Sequence, residues 1–148
     1  EKGESYEEAS QRFLSQLDFT GQWEASEAVS DGTLLTYCQV WSKVPVFSCQ
    51  VSLLWQGDEL RHAQGQRLAG TAAAEGSAQP LSTTTILIRF LSGLSQNGFV
   101  CSQIEAMDPG YRANGTVRTV QLLPVWRIQT DSGNYYVDAL SGEVSQAP

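Results

Sequence analysis

Apolar residues recur at helical spacing in two stretches of this chain, and in strand-like alternation or short runs almost everywhere else. The first stretch opens with Ser5-x-x-Glu8, a capping box whose hydroxyl and carboxylate satisfy the free N–H groups of a first turn. Tyr6, Ala9, Phe13 and Leu17, with Leu14, then form an apolar stripe, and Gly21 follows shortly after. The second stretch starts from the N-cap candidate Ser82 and runs through Ile86, Leu87, Phe90, Leu91 and Leu94 towards Gly98. Elsewhere the pattern predicts strands near 22–30, 33–41, 46–55 and 59–67, then 99–107, 116–122, 124–130 and 134–139. A stretch poor in periodicity, residues 68–81, reads as a linker.

The two halves match each other in order. Arg12-Phe13-Leu14-Ser15-x-Leu17 returns as Arg89-Phe90-Leu91-Ser92-x-Leu94, Ser5 as Ser82, and Gly21 as Gly98. Downstream, Gly32-Thr33-x-x-Thr36 returns as Gly115-Thr116-x-x-Thr119, behind Asp31 and Asn114 respectively, and Asp-Gly or Asn-Gly marks a tight hairpin. Pro45-Val46-Phe47-x-x-Gln50 returns as Pro124-Val125-Trp126-x-x-Gln129. The expectation is an α+β fold built by internal duplication, within one domain spanning 1–148. Each unit, 5–67 and 82–144, would be a helix followed by an antiparallel meander of three or four strands. With the helices packed on sheet faces, the two would share a core.

Charge removes some functions. The chain has 9 Lys and Arg against 16 Asp and Glu, a net −7, which argues against nucleic acid and anionic membrane surfaces. The excess lies in the first half: residues 1–77 carry eleven acidic and five basic side chains, the rest five and four. No apolar run is long enough to span a bilayer, and no signal peptide is present. The chain begins at Glu1 without Met, which predicts a processed amino terminus and an anchor lost with it.

Residue chemistry is sparse. Cys38, Cys49 and Cys101 fit neither a disulfide scaffold nor a zinc site, and His62 is the single histidine. A turn at Ser42-Lys43-Val44-Pro45 would set Val40 opposite Phe47, Cys38 opposite Cys49 and Leu34 opposite Leu53, all on one face. A bond directly across paired strands is strained, so free buried thiols are expected there. Asp108, Asp131, Asp138 and Glu143 could suggest a carboxylate pair, but most neighbour glycine and read as turn residues. Asn114-Gly115-Thr116 matches a glycosylation sequon and is better explained as a hairpin turn. No serine-nucleophile motif or phosphate loop occurs, so no catalytic residue, cofactor or metal is expected.

Aromatics are more informative. Trp23, Trp41, Trp55, Trp126, Tyr37, Tyr111, Tyr135 and Tyr136 fall on predicted strands or at their ends, mostly as core filling. Tyr135 and Tyr136 are consecutive, so one of them faces away from the core. Trp41 falls on the face opposite Val40 and Cys38, beside Lys43. These four, Trp41, Lys43, Tyr135 and Tyr136, are the candidate partner-binding residues, because Trp and Tyr dominate interface hot spots.

The carboxy-terminal stretch Leu123-Pro124-Val125-Trp126-Arg127-Ile128, Tyr135-Tyr136-Val137-Asp138-Ala139 and Gly142-Glu143-Val144, behind Gly110-Tyr111, resembles the end of the YycI/YycH family. That resemblance implies a non-catalytic regulator outside the cytoplasm. It would be held by one amino-terminal transmembrane helix and would contact a cell-wall-sensing histidine kinase. Pro124, Trp126, Asp138, Gly142 and Glu143 would be its structural signature. The ending also resembles PepSY-type repeats of secreted proteins. A PepSY-like or cystatin-like module that inhibits or chaperones a secreted hydrolase is therefore the alternative. Either way the partner is a protein, and both homo- and heterodimers stay open.

Overall fold

In the computed structural model, which describes residues 5–69, 79–115 and 118–147, α1 (Tyr6–Gln16) starts at Ser5. Ser5 accepts from the Glu8 N–H, and the Glu8 carboxylate accepts from the Ser5 N–H, both at 3.2 Å. The helix ends on Asp18, held left-handed at φ 56°, with the Phe19 N–H reaching back to the Leu14 carbonyl. In α2 (Thr83–Asn97), Gly98 does this at φ 72° and Phe99 reaches back to Leu94. The counterpart of Gly98 is thus Asp18, not Gly21, which opens a strand.

The chain divides into two compact units, Glu1–Thr71 and Ala72–Pro148. The first adds β1 (Gly21–Val29), β2 (Gly32–Trp41), β3 (Val44–Gln56) and β4 (Glu59–Gly65), each pairing antiparallel with the next. The second adds β5 (Ile104–Gly115), β6 (Val120–Thr130), β7 (Gly133–Asp138) and β8 (Val144–Gln146), paired in the same way.

In the first unit Leu14 and Phe19 gather with Leu35, Tyr37, Leu53 and Trp55, which alternate along β2 and β3. The helix stripe is centred on Ser10 and Leu14, both fully buried, while Leu17 is exposed. In the second unit Ile86, Phe90 and Leu94 gather with Ile128, Tyr135 and Val137. Leu91 and Ile88 lie on the exposed side of α2.

Several strand limits differ from the sequence pattern. The β2–β3 turn is the two-residue Ser42-Lys43, pairing Trp41 with Val44 and Val40 with Pro45. Three residues further, Phe47, Ser48 and Cys49 bulge out of the ladder, so that Cys38 pairs with Gln50 and Leu35 with Leu53. Val40–Phe47, Cys38–Cys49 and Leu34–Leu53 are therefore not opposite pairs. The bulge is held from β4's continuation. Gln39 exchanges two hydrogen bonds with the Leu68 main chain, and Gln66 bonds the Ser48 and Gln50 carbonyls. Residues 66–68 are thus attached to the first unit; much of the expected linker, 70–78, lies outside the described residues.

In the second unit, expected strands 116–122 and 124–130 are one strand running through Pro124, and β5 continues through Pro109. Pro109 faces Trp126 and Tyr111 faces Pro124, two steps apart and so the same kind of pair. In an antiparallel ladder alternate pairs exchange no hydrogen bonds, and proline is tolerated there. The Pro124 carbonyl accepts from Ala139 N–H, just past the end of β7. Proline has no N–H to return that bond, and the Ala139 carbonyl instead accepts from the Leu81 N–H at 2.7 Å. The hairpin glycines also sit differently. Gly32 begins β2 after a Ser30-Asp31 turn, whereas Gly115 ends β5 and pairs with Val120, the first residue of β6. Asn114-Gly115 is strand, not turn centre, and Thr116 of the sequon lies outside the described residues.

Candidate partner-binding surface

Trp41 and Lys43 lie at the tip of the β2–β3 hairpin. Ser42 and Lys43 both have positive φ, 49° and 67°. That conformation suits a two-residue hairpin but costs a non-glycine residue about 1–2 kcal/mol each. Lys43 is exposed, and Trp41 retains 37% of its surface. Side chains alternate along β2, so Trp41 shares a face with Gln39 and Tyr37.

Tyr135 and Tyr136 belong to the second unit and point opposite ways. Tyr135 is 2% exposed and packs at 5.6 Å against both Phe90 and Phe99. It fills the core and is removed from the contact candidates. Tyr136 is half-buried, with the Arg112 guanidinium 4.6 Å from its ring centroid and the same Arg reaching Ser145.

The signature residues build the carboxy-terminal turn. The Asp138 carboxylate accepts from the Leu140 and Ser141 N–H groups at 2.8 and 2.9 Å. Its main chain bonds Gly142 and Glu143, closing the loop between β7 and β8. Gly142 needs φ 78°, and a Cβ there would meet Arg89 Cγ at 2.8 Å. Trp126 is half-buried against the second core and faces Val137, with Tyr135 one diagonal step away on that face.

The acids do not converge. Asp131 accepts from the Ser102 and Gln103 N–H groups at 2.9–3.2 Å, and those bonds hold its carboxyl below the ordinary value. Asp108 lies 3.6 Å from Arg127. His62 reaches Gln64, and no group of three or more potential metal ligands occurs among the described residues. Cys38 and Cys49 are buried free thiols and Cys101 is half-buried. Burial pushes the Cys49 thiol up, opposed by a bond from the Leu68 main chain. No described helix is long and apolar enough to cross a membrane.

Two features were not singled out in the sequence. Ser10 is a buried polar residue inside the apolar stripe of α1, bonded at 2.8 Å by the Trp55 indole N–H. Its spacing of four from Leu14 was the available signal. Trp23 keeps 53% of its surface on β1, a strand with no buried residue.

No protein-family model matches the chain, and no curated protein matches it. Among solved structures it is similar to the Bacillus megaterium YpeB C-terminal domain, at 11% identity and a TM-score of 0.55. That likeness covers 100% of this chain and 67% of the other. At such identity the fold alone is shared. The fold likeness to the YpeB C-terminal domain agrees with the PepSY-like resemblance of the ending, and no comparison supports the YycI/YycH resemblance.

Proposed function

We propose that this chain is a non-catalytic, PepSY-like protein-binding domain that works outside the cytoplasm by holding or inhibiting a secreted hydrolase. The observation that carries the reading is the fold likeness to the C-terminal domain of YpeB. It is joined by the ending built around Asp138 and Gly142 and by exposed tryptophans on the first unit. Trp41 and Lys43 at the β2–β3 hairpin tip form one contact patch, and Tyr136 is the candidate of the second unit. The two units are read as diverged copies of one helix-plus-meander unit. Shared element order and N-cap serines support this; the helix ends, three residues out of step with those caps, and the differing hairpin glycines weigh against it.

A second reading rests on residues 123–144: contact with a sensor histidine kinase, as the YycI/YycH resemblance implies. One experiment separates the two. The purified chain is titrated with the secreted hydrolase and with the extracytoplasmic kinase segment encoded nearest its gene. Binding to the hydrolase with loss of its activity supports the first reading. Binding to the kinase segment alone replaces it with the second, and binding to neither overturns both.

A further inference from the structure

We propose that β1 is a docking edge, taking up an extended partner segment, basic on one face and apolar on the other, as an added strand of the first unit. This deepens the protein-binding reading and rests on it for the existence of a partner. β1 pairs with β2 on one side, and among the described residues no strand lies on its other side. Such an edge presents a row of N–H and C=O groups to any extended chain. After the bulge between Trp23 and Ala25, the register with β2 is unbroken from Ala25 to Val29, which leaves a regular stretch for a partner to read.

Cross-strand pairs share a face, and this fixes the chemistry on either side of the edge. Trp23 faces Tyr37, Ser26 faces Leu35 and Ala28 faces Thr33, so a 53%-exposed indole and two small side chains line one face. Ala25 and Glu27 face Thr36 and Leu34 on the other. Between Phe19 and Ser42 the charged residues are Glu24, Glu27 and Asp31, with no Lys or Arg. A second copy pairing through its own β1 would set these acids against each other, which is destabilising. Acids and a bulge keep such an edge from joining itself. They leave it open to a strand that alternates Lys or Arg with apolar residues, its basic face beside Glu27 and its apolar face beside Trp23.

The test is an amide and indole NMR titration of the whole chain with two synthetic peptides of about eight residues, a common strand length. One alternates Lys with Val, the other Glu with Val. The Lys peptide should shift the Ala25–Val29 amides and the Trp23 indole. The Glu peptide should bind at least about threefold more weakly, in line with the modest worth of exposed charge pairs. Glu27→Lys should reverse that order and Trp23→Ala should weaken the Lys peptide; both side chains are exposed, and unchanged signals elsewhere would show the fold intact. Shifts away from β1, charge-insensitive binding, or concentration-dependent β1 shifts without peptide overturn the proposal. A hydrolase or kinase segment that binds while β1 stays unshifted also overturns it, and leaves the protein-binding reading standing. Peptide addition at β1 with neither protein bound does the reverse.

Discussion

Replacing Ser10 by Ala isolates one hydrogen bond in a dry setting. The Trp55 indole N–H donates to the Ser10 hydroxyl at 2.8 Å, and the two residues keep 8% and 0% of their surface. Around them stand Leu14, Leu35, Tyr37 and Leu53, and the Trp55 indole bonds no side chain other than Ser10 among the described residues. Ser10→Ala strands the indole donor, costing about 1–3 kcal/mol, while the better helix propensity of Ala returns a few tenths. The net expectation is a loss of about 1–2 kcal/mol, measurable as a shifted urea midpoint by tryptophan fluorescence. Tyr37→Phe provides the contrast. Burial raises the Tyr37 phenol; its hydroxyl approaches Ser10 but falls short of hydrogen-bond geometry. Removing a buried hydroxyl without a partner should be neutral or slightly stabilising. The reasoning fails if Ser10→Ala loses under about 0.5 kcal/mol, or if Tyr37→Phe loses more than about 1 kcal/mol, the worth of a formed bond.

The remaining predictions concern the thiols, the second core and Asp131. One thiol, Cys101, should react in the native chain and three after denaturation; a single reactive thiol in denaturant would establish a Cys38–Cys49 bond. Trp126→Ala should cost about 2 kcal/mol, short of the 3–5 typical of a fully buried ring, because Trp126 is half-buried. A loss below about 1 kcal/mol would mean that the ring contributes little packing. Asp131 is held below its ordinary carboxyl value by the Ser102 and Gln103 N–H groups. Its stabilisation is therefore full above the unfolded-state value and fades as pH falls through the lower folded value. The melting-temperature gap between the wild type and Asp131→Ala should shrink on acidification below the usual carboxylate range; a gap constant with pH would refute the assignment.

Local signals were legible where local chemistry decides. Ser5, Glu8 and Ser82 start their helices as capping rules demand. Asp18 was missed as a helix terminus because a left-handed aspartate carries no mark like glycine's. The β2–β3 register was illegible for a tertiary reason: the Gln39–Leu68 bonds that accompany the bulge join residues far apart in sequence. The expected strand limits at 107 and 124 fell beside Pro109 and at Pro124, because the kind of ladder pair a proline occupies depends on the neighbouring strand. For the candidate surface, alternation required Tyr135 and Tyr136 to diverge, but which of them is buried depends on where Phe90 and Phe99 lie. Trp23 looked like any other strand aromatic, since an edge position is a property of the sheet.

The measurement that bears most directly on the central claim is a titration of the purified chain with the hydrolase encoded nearest its gene, run for binding and turnover. The wild type should bind, slow the hydrolase and show no hydrolysis of its own. The variant Trp41→Ala/Lys43→Ala/Tyr136→Ala should keep its fold and bind at least about tenfold more weakly, some 1.4 kcal/mol. Undiminished binding by that variant would remove these residues from the contact surface, and turnover by the chain alone would contradict the account.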